Sequence, residues 1–386
     1  MPNWSVKYDH LDKDQINFLN KCLNDGKSHW ICGFPGSGKS TILSHAIKSI
    51  KADNPSASVA VVVYTQSLVE MYKAAFREIG AEGATLKTMY HILNDGNHYD
   101  YILCDEVQDM TRRIIDAMKA KCNHLIVAGD ENQSIYRQDV RFHEATLTPE
   151  EIKSYVGGDK YELTVVHRLS PAVQEAVQKF MPELAKLHDV RNPADKSYKI
   201  RLCHSRERDN EVKYIWKEAV KAPNIGKTSA VLFPSKPRVL DFVDMVCDLE
   251  KVARWQRQLN QYNGVDFVAL NSYLSSNNIR LQYVGSGCGS FSNENCVFLM
   301  TYQSSKGLDF DNVFLPDIDE RLYIAPDPEI AKATFMVAMT RCRNELYVCY
   351  SGTPHIYVSY FAGSCSNVNV DDYLNPAKGA GGNFGF

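Results

Sequence analysis

Net charge is almost absent from this chain: 43 Lys and Arg stand against 46 Asp and Glu, leaving −3 over 386 residues. No global basic field therefore advertises nucleic acid, although a groove needs only local positive charge. Long apolar runs are missing too. The longest, Val59 to Tyr64, is a strand's length and far short of the roughly 20 residues of a membrane span. The opening stretch MPNWSVKYDHLDKDQ has no signal-peptide core, so a cytoplasmic location without membrane contact is expected. The eleven cysteines are scattered, odd in number and include no C-x-x-C pair, which argues against a zinc site or a disulfide framework. The eleven histidines lack metal-ligand spacing, and no internal repeat is visible. What remains is ordinary globular composition, 44% hydrophobic and 23% charged, at a length that favours two domains.

Short apolar runs alternate with amphipathic stretches. HWICGF (29–34), SVAVVVY (58–64), YILCDE (101–106) and HLIVAGD (124–130) read as buried parallel strands. TILSHAIKSIKA and SLVEMYKAAFREI carry apolar residues at three- and four-residue spacing, as helices do. After a polar break at HDVRNPADKS (188–197), strand-like runs resume at YKIRLCH, SAVLFP, IRLQYVG, CVFLMTYQ, NVFLP and ELYVCYS, with helices near 208–222, 236–253 and 328–341. The expectation is an α/β protein of parallel sheets flanked by helices. Its domains are expected at 1–192 and 193–370, followed by a flexible Gly-rich tail at 371–386.

G-F-P-G-S-G-K-S, Gly33 to Ser40, follows a strand and opens a helix, which is the context a G-x-x-x-x-G-K-[ST] match requires. Backbone N–H groups around Gly36, Ser37 and Gly38, with Thr41 just inside the helix, would cradle phosphates at a helix N-terminus. Lys39 would reach the β- and γ-phosphates and the Ser40 hydroxyl would ligate Mg²⁺. Y-I-L-C-D-E-V-Q-D supplies the acidic strand end that such a loop needs. Asp105 is expected to hold the metal and Glu106 to polarise the attacking water as general base.

Taken in order, VVVYTQS (61–67), TMYH (88–91), DEVQD (105–109), GDENQSIY (129–136), VVHR (165–168), MTYQSSKGLDF (300–310) and VAMTRCR (337–343) resemble the UvrD/Rep-type superfamily 1 DNA helicases motif by motif. The resemblance runs from Gln15 to about Tyr350. It implies two RecA-like P-loop NTPase domains with ATP and Mg²⁺ in the cleft between them. Carried over by position, Gln15 matches the adenine-reading glutamine and Gln133 the γ-phosphate sensor. Arg168 and Arg341 match two arginines that clamp the γ-phosphate. Asp309, in place of a family Glu, and Gly307 would lie near ribose and phosphates. Tyr64, Thr65, Tyr90, His91, Tyr136 and Thr301 match positions that hold a single strand of nucleic acid.

Two departures stand out. After the sensor Gln the family reads S-I-Y-x-W-R-G-A, whereas this chain reads S-I-Y-R-Q-D-V-R, with Gln138 for the stacking Trp and Asp139 for the following Arg. An aromatic platform, worth roughly 1–3 kcal/mol per stacked base, is expected to be lost there. The large accessory insertions of the family are missing as well: only 13 residues, 92–104, separate His91 from Asp105. The resemblance thus implies a bare two-domain motor acting on single-stranded or tailed DNA, with RNA left open and a protein partner supplying processivity. A non-unwinding, DNA-binding ATPase switch or loader subunit is the alternative, and an RNA-directed enzyme on the same core is a third.

Overall fold

The computed structural model describes residues 6–23, 25–130, 138–139, 141–182, 189–190, 198–285, 287–291 and 295–376. Among them, β1 (His29–Gly33), β2 (Val59–Val63), β3 (Ala84–Thr88), β4 (Tyr99–Cys104), β5 (Cys122–Gly129) and β6 (Asp159–Leu163) form one sheet in the order β3-β2-β4-β5-β1-β6. Every pairing in it is parallel. β7 (Val165–Val166) and β8 (Asp189–Val190) make a separate short parallel ladder. The second sheet takes β9 (Ile200–Ser205), β10 (Ser229–Phe233), β11 (Leu281–Tyr283), β12 (Val297–Thr301), β13 (Phe310–Leu315), β14 (Cys342–Ser351) and β15 (Cys365–Asn369) in the order β11-β12-β10-β13-β14-β9-β15. It too is wholly parallel.

The described helices are α1 (Lys13–Asn17), α2 (Lys39–Asp53), α3 (Gln66–Ile79), α4 (Met89–Leu93), α5 (Arg112–Lys119), α6 (Pro149–Val156), α7 (Pro171–Phe180), α8 (Arg208–Ala219), α9 (Lys221–Asn224), α10 (Lys236–Leu249), α11 (Phe267–Ser276), α12 (Pro328–Met339), α13 (Ile356–Phe361) and α14 (Val370–Leu374). Parallel strands need such crossovers, and their helices cover both faces of each sheet. The central strands β2, β10 and β12 are buried at every position, as their unbroken apolar runs require. Two parallel-sheet α/β domains result, which is the RecA-like arrangement expected. Their cores are continuous. One apolar cluster takes Ile31, Val61 and Leu103 from the first sheet and Leu202, Leu232 and Met300 from the second. Phe180 at the end of α7 joins it, its ring edge-on to Phe335 and Phe361 of α12 and α13.

β3, β6 and β15 escape the apolar-run reading. All three are sheet edges with mostly half-exposed side chains, so their sequences carry little of the signal that marks a buried strand. Residues 371–374, expected in the tail, belong to α14. α14 is capped by Asn369, whose side chain accepts the Asp371 and Asp372 N–H groups, and Tyr373 packs edge-on against Tyr214 of α8 with centroids 5.2 Å apart. Residues 377–386 and most of the 188–197 break lie outside the described residues. No described helix is long and apolar enough to cross a membrane.

Candidate active site

The loop between β1 and α2 is shaped by glycine. Gly38 sits at φ 86°, a left-handed conformation that favours glycine, and a Cβ there would lie 2.2 Å from Gln15 Nε2 and push that side chain from its place. Gln15 is buried against the loop. Its Nε2 donates to the Ser37 carbonyl at 3.1 Å and its Oε1 accepts the Asp12 N–H at 3.0 Å. Asp12 returns the bond through Oδ1, accepting the Gln15 N–H at 2.9 Å, and pairs through Oδ2 with His167 at 2.5 Å. His167 in turn donates its backbone N–H to the Gly36 carbonyl at 2.9 Å. Asp12 and His167 thus hold the loop from behind. Neither is visible as a site residue in the sequence, because their role depends on a contact across 155 positions.

Lys39, at the start of α2, donates to the Gly33 carbonyl at 2.6 Å and the Phe34 carbonyl at 3.3 Å. Ser40 Oγ donates to Asp105 Oδ2 at 2.6 Å, and the buried Tyr72 hydroxyl of α3 donates to the same oxygen at 2.8 Å. Sequence gives no sign of Tyr72, which looks like any aromatic on the apolar face of a helix. Burial and the Glu106 charge push the Asp105 carboxyl upward. Glu106 follows at φ 58°, a left-handed conformation that costs a residue with a Cβ about 1–3 kcal/mol and clusters at functional sites. The turn is held by the Glu106 N–H donating to Asp105 Oδ1 at 2.9 Å and by the Gln108 amide donating to Glu106 Oε2. Gln108 also accepts the Asp130 N–H at 3.1 Å, tying DEVQD to the start of GDENQ.

The second domain closes on this acid pair. Gly307 sits at φ 78°, and a Cβ there would lie 2.5 Å from Leu68 Cδ2 and 3.2 Å from Glu106 Oε1, so glycine lets this backbone lie against the Leu68 and Glu106 side chains. The buried Lys306 ammonium pairs with Asp109 and stands 4.0 Å from Glu106 Oε2. Burial pulls Glu106 upward, but Lys306, Lys39, Arg341 and the Gln108 bond outweigh it and leave the carboxyl below its ordinary value. Asp109 is pushed up to about 7 by burial, with Lys306 opposing and Glu106 assisting. Arg168 donates to Asp309 Oδ2 at 2.9 Å and to the Thr340 carbonyl at 3.2 Å. Arg343 Nε donates to Asp309 Oδ1 at 2.7 Å. Burial favours the neutral acid, yet Arg343 and Arg168 hold Asp309 down to about 2. Arg341 is buried, with donors on the Val337 and Leu308 carbonyls and the Thr340 hydroxyl at 2.8, 3.1 and 2.9 Å. Burial and the neighbouring Arg168 lower it to about 9.

Tyr64 follows the end of β2, half-buried against the core. Thr65 caps α3, accepting the Leu68 N–H at 3.2 Å. Tyr90 and the exposed His91 lie on α4 just past β3, and Thr301 ends β12 with its hydroxyl 2.9 Å from Ser304 Oγ. These positions gather at the C-terminal ends of the two sheets, where open α/β sheets bind ligands. Gln133 and Tyr136 lie outside the described residues.

The fold and its glycine loop define a P-loop NTPase. A family described as "AAA domain" matches residues 19–139, and one described as "UvrD-like helicase C-terminal domain" matches residues 276–353. The chain belongs to the UvrD-like superfamily 1 helicases. Comparison with curated proteins gives no match. Similar solved structures include the arterivirus nonstructural protein 10 helicase, at 14% identity and TM-score 0.44, covering 91% of this chain and 64% of that one. The PRRSV helicase aligns at 14% identity and TM-score 0.42 over 88% of this chain and 54% of its own. A complex of arterivirus nonstructural protein 10 with DNA gives 14% and 0.42 over 90% and 65%. The chain therefore spans between about half and two thirds of the length of these structures.

Proposed function

We propose that this chain is an ATP-hydrolysing motor, stimulated by nucleic acid, that translocates on or unwinds DNA. The reading is carried by the surroundings of Glu106: a strained acidic residue of the first domain, with the Ser40–Asp105 pair beside it and Lys306 and Gly307 of the second domain against it. Glu106, held anionic at neutral pH, suits a general base for water. Lys39 and the N–H groups of 36–41 would bind the phosphates, and Arg168 and Arg341 would answer the charge that develops on them. Gln15 would border the base and Asp309 with Gly307 the sugar side. Gln133 would sense the γ-phosphate.

The donor set fits Mg²⁺. Ser40 and Asp105 offer a hydroxyl and a carboxylate, both hard oxygen donors, and the described residues contain no cluster of three or more His, Cys, Asp or Glu able to hold a metal by themselves. A cation that keeps several waters and shares substrate phosphates needs no such cage. Bound there, Mg²⁺ would neutralise phosphate charge, with Ser40 and Asp105 holding it.

ATPase rate with and without single-stranded DNA or RNA, followed by strand displacement on a tailed duplex, tests the proposal. Stimulation with displacement supports a helicase. Stimulation without displacement points to a switch or loader, or to a motor needing a protein partner for processivity. Stimulation by RNA alone moves the substrate class. No hydrolysis at all, or hydrolysis surviving Lys39→Ala, overturns the reading.

A further inference from the structure

Asp139 stands where the family pattern has Arg, and it is buried. One carboxylate does three things. Its Oδ2 accepts the Tyr90 hydroxyl at 2.7 Å, and its Oδ1 accepts the backbone N–H groups of Arg141 at 2.9 Å and Phe142 at 2.5 Å. The turn is fastened further by the Asp139 N–H on the Glu144 carbonyl at 2.8 Å and the His143 N–H on the Asp139 carbonyl at 3.0 Å. Backbone bridges from Gln138 to Ala145 and from Thr111 to Thr146 fix its stem. Asp139 thus pins a turn of the chain onto α4.

The consequence is a mixed aromatic and cationic patch. The half-buried ring of Phe142 stands edge-on to Tyr90, with centroids 6.0 Å apart and planes at 67°. The exposed Arg141 guanidinium lies over both rings, 5.3 Å from the Tyr90 centroid and 5.5 Å from that of Phe142. Arg113 of α5 lies 4.5 Å over Phe142 and also pairs with Glu144 at 3.2 Å, so its charge is partly answered. Arg141 is the better phosphate partner. Flat π surfaces next to a guanidinium match a nucleotide unit, whose base stacks on rings or guanidinium planes and whose phosphate accepts two N–H donors. A carboxylate-bearing peptide would use the guanidinium and leave the rings idle.

We propose that Phe142 and Arg141, set by Asp139 beside Tyr90, form a stacking and phosphate-gripping site for single-stranded nucleic acid, replacing the platform absent at Gln138. The inference rests on the reading of this chain as a nucleic-acid motor. It assigns the grip to a residue four positions further on.

Fluorescence anisotropy of the full chain with labelled dT and rU 20-mers, over a salt series, tests it. Phe142→Ala is expected to weaken strand binding roughly tenfold to hundredfold, the loss of one stacked base, and Phe142→Trp to restore it. Arg141→Gln should weaken binding and shallow the slope of log K against log salt by about 0.7, one phosphate on a single strand. Phe142→Leu keeps an apolar side chain under Arg113 without a π face, so it should bind as poorly as Phe142→Ala while melting like wild type. Loss in the dT or the rU arm supports the site and names the polymer. Binding of Phe142→Leu and Arg141→Gln within twofold of wild type in both arms overturns it. A wild-type chain that binds neither oligonucleotide overturns the motor reading and this site together, whereas wild-type binding with unaffected variants overturns the site alone.

Discussion

Arg168 meets Asp309: Nη1 of one lies 2.9 Å from Oδ2 of the other, and Arg343 holds the remaining carboxylate oxygen. The pair joins the segment after β7 to the loop that opens β13, so residues matched separately to phosphate and to sugar are partners in one triad. Asp309→Ala would leave two largely buried guanidinium groups facing each other without their carboxylate. Breaking such a pair from one side costs about 3 kcal/mol or more, and Asp309→Asn should recover part of it by keeping an acceptor. Urea denaturation of the two variants measures this. Equal stability of Asp309→Ala and wild type would show that the triad is incidental.

Arg341 is the better test of the cleft. Its guanidinium is fixed by three acceptors of its own domain, which presents it as a rigid fork. Arg341→Lys keeps a cation and loses the fork, so turnover should fall at least about tenfold while nucleotide affinity changes less, because the contact strengthens as charge develops. A lowered melting temperature with unchanged turnover would make Arg341 a packing residue only.

Much of the phosphate site is legible in the sequence because its chemistry is local. Gly33 to Ser40 must follow a strand and open a helix, and Asp105 and Glu106 must end a neighbouring strand; both runs declare themselves. The central strands are legible for the same reason, each being an unbroken apolar run. What cannot be read is whatever depends on distant chain meeting. Asp12 finds His167, Tyr72 finds Asp105, and Lys306 finds Asp109 only after folding, and each looks alone like a solvated charge or a core aromatic. The substitution at Asp139 is the sharpest case. From sequence it is a loss of positive charge, whereas in the fold it is the anchor that brings Phe142 to Tyr90.

Lys306 bridges the domains through charge. It is buried between Asp109 and Glu106, and Lys306→Ala leaves both carboxylates in a dry site. Asp109, with a folded pKa raised to about 7 by burial against 3.8 in the unfolded chain, takes up a proton that the unfolded chain releases. The Asp109 contribution to stability thus falls between these two values and levels off above about 7. Removing the cation raises the folded pKa further and extends the falling window to higher pH. Lys306→Ala should lose more stability, relative to wild type, at pH 8.5 than at pH 6. Urea midpoints at the two pH values measure this, and an equal penalty at both would mean that Asp109 does not sense Lys306.

Another buried acid lies away from the nucleotide loop, on α8. Glu211 is fully buried; its Oε1 accepts the Asp317 N–H at 2.7 Å and its Oε2 has no hydrogen-bond partner among the described residues. Burial, with the Asp317 charge assisting, pushes its pKa up to about 8 from 4.5. The folded chain therefore keeps a proton on Glu211 that the unfolded chain gives up above about 4.5. The Glu211 contribution to stability falls as pH rises from there to about 8 and is flat beyond, because inside that window the native state holds a proton the unfolded chain has lost. Glu211→Gln retains the acceptor for Asp317 and has no proton to lose. Its stability should match wild type near pH 5 and exceed it by roughly 2–4 kcal/mol at pH 8.5, since a tenfold change in proton affinity is worth about 1.4 kcal/mol. Guanidinium denaturation across pH 5–8.5 reads the divergence directly. Parallel pH profiles for the two proteins would mean that Glu211 is ionised in the fold, and that Arg208, which binds the Asp317 carboxylate at 2.7 Å, governs this cluster instead.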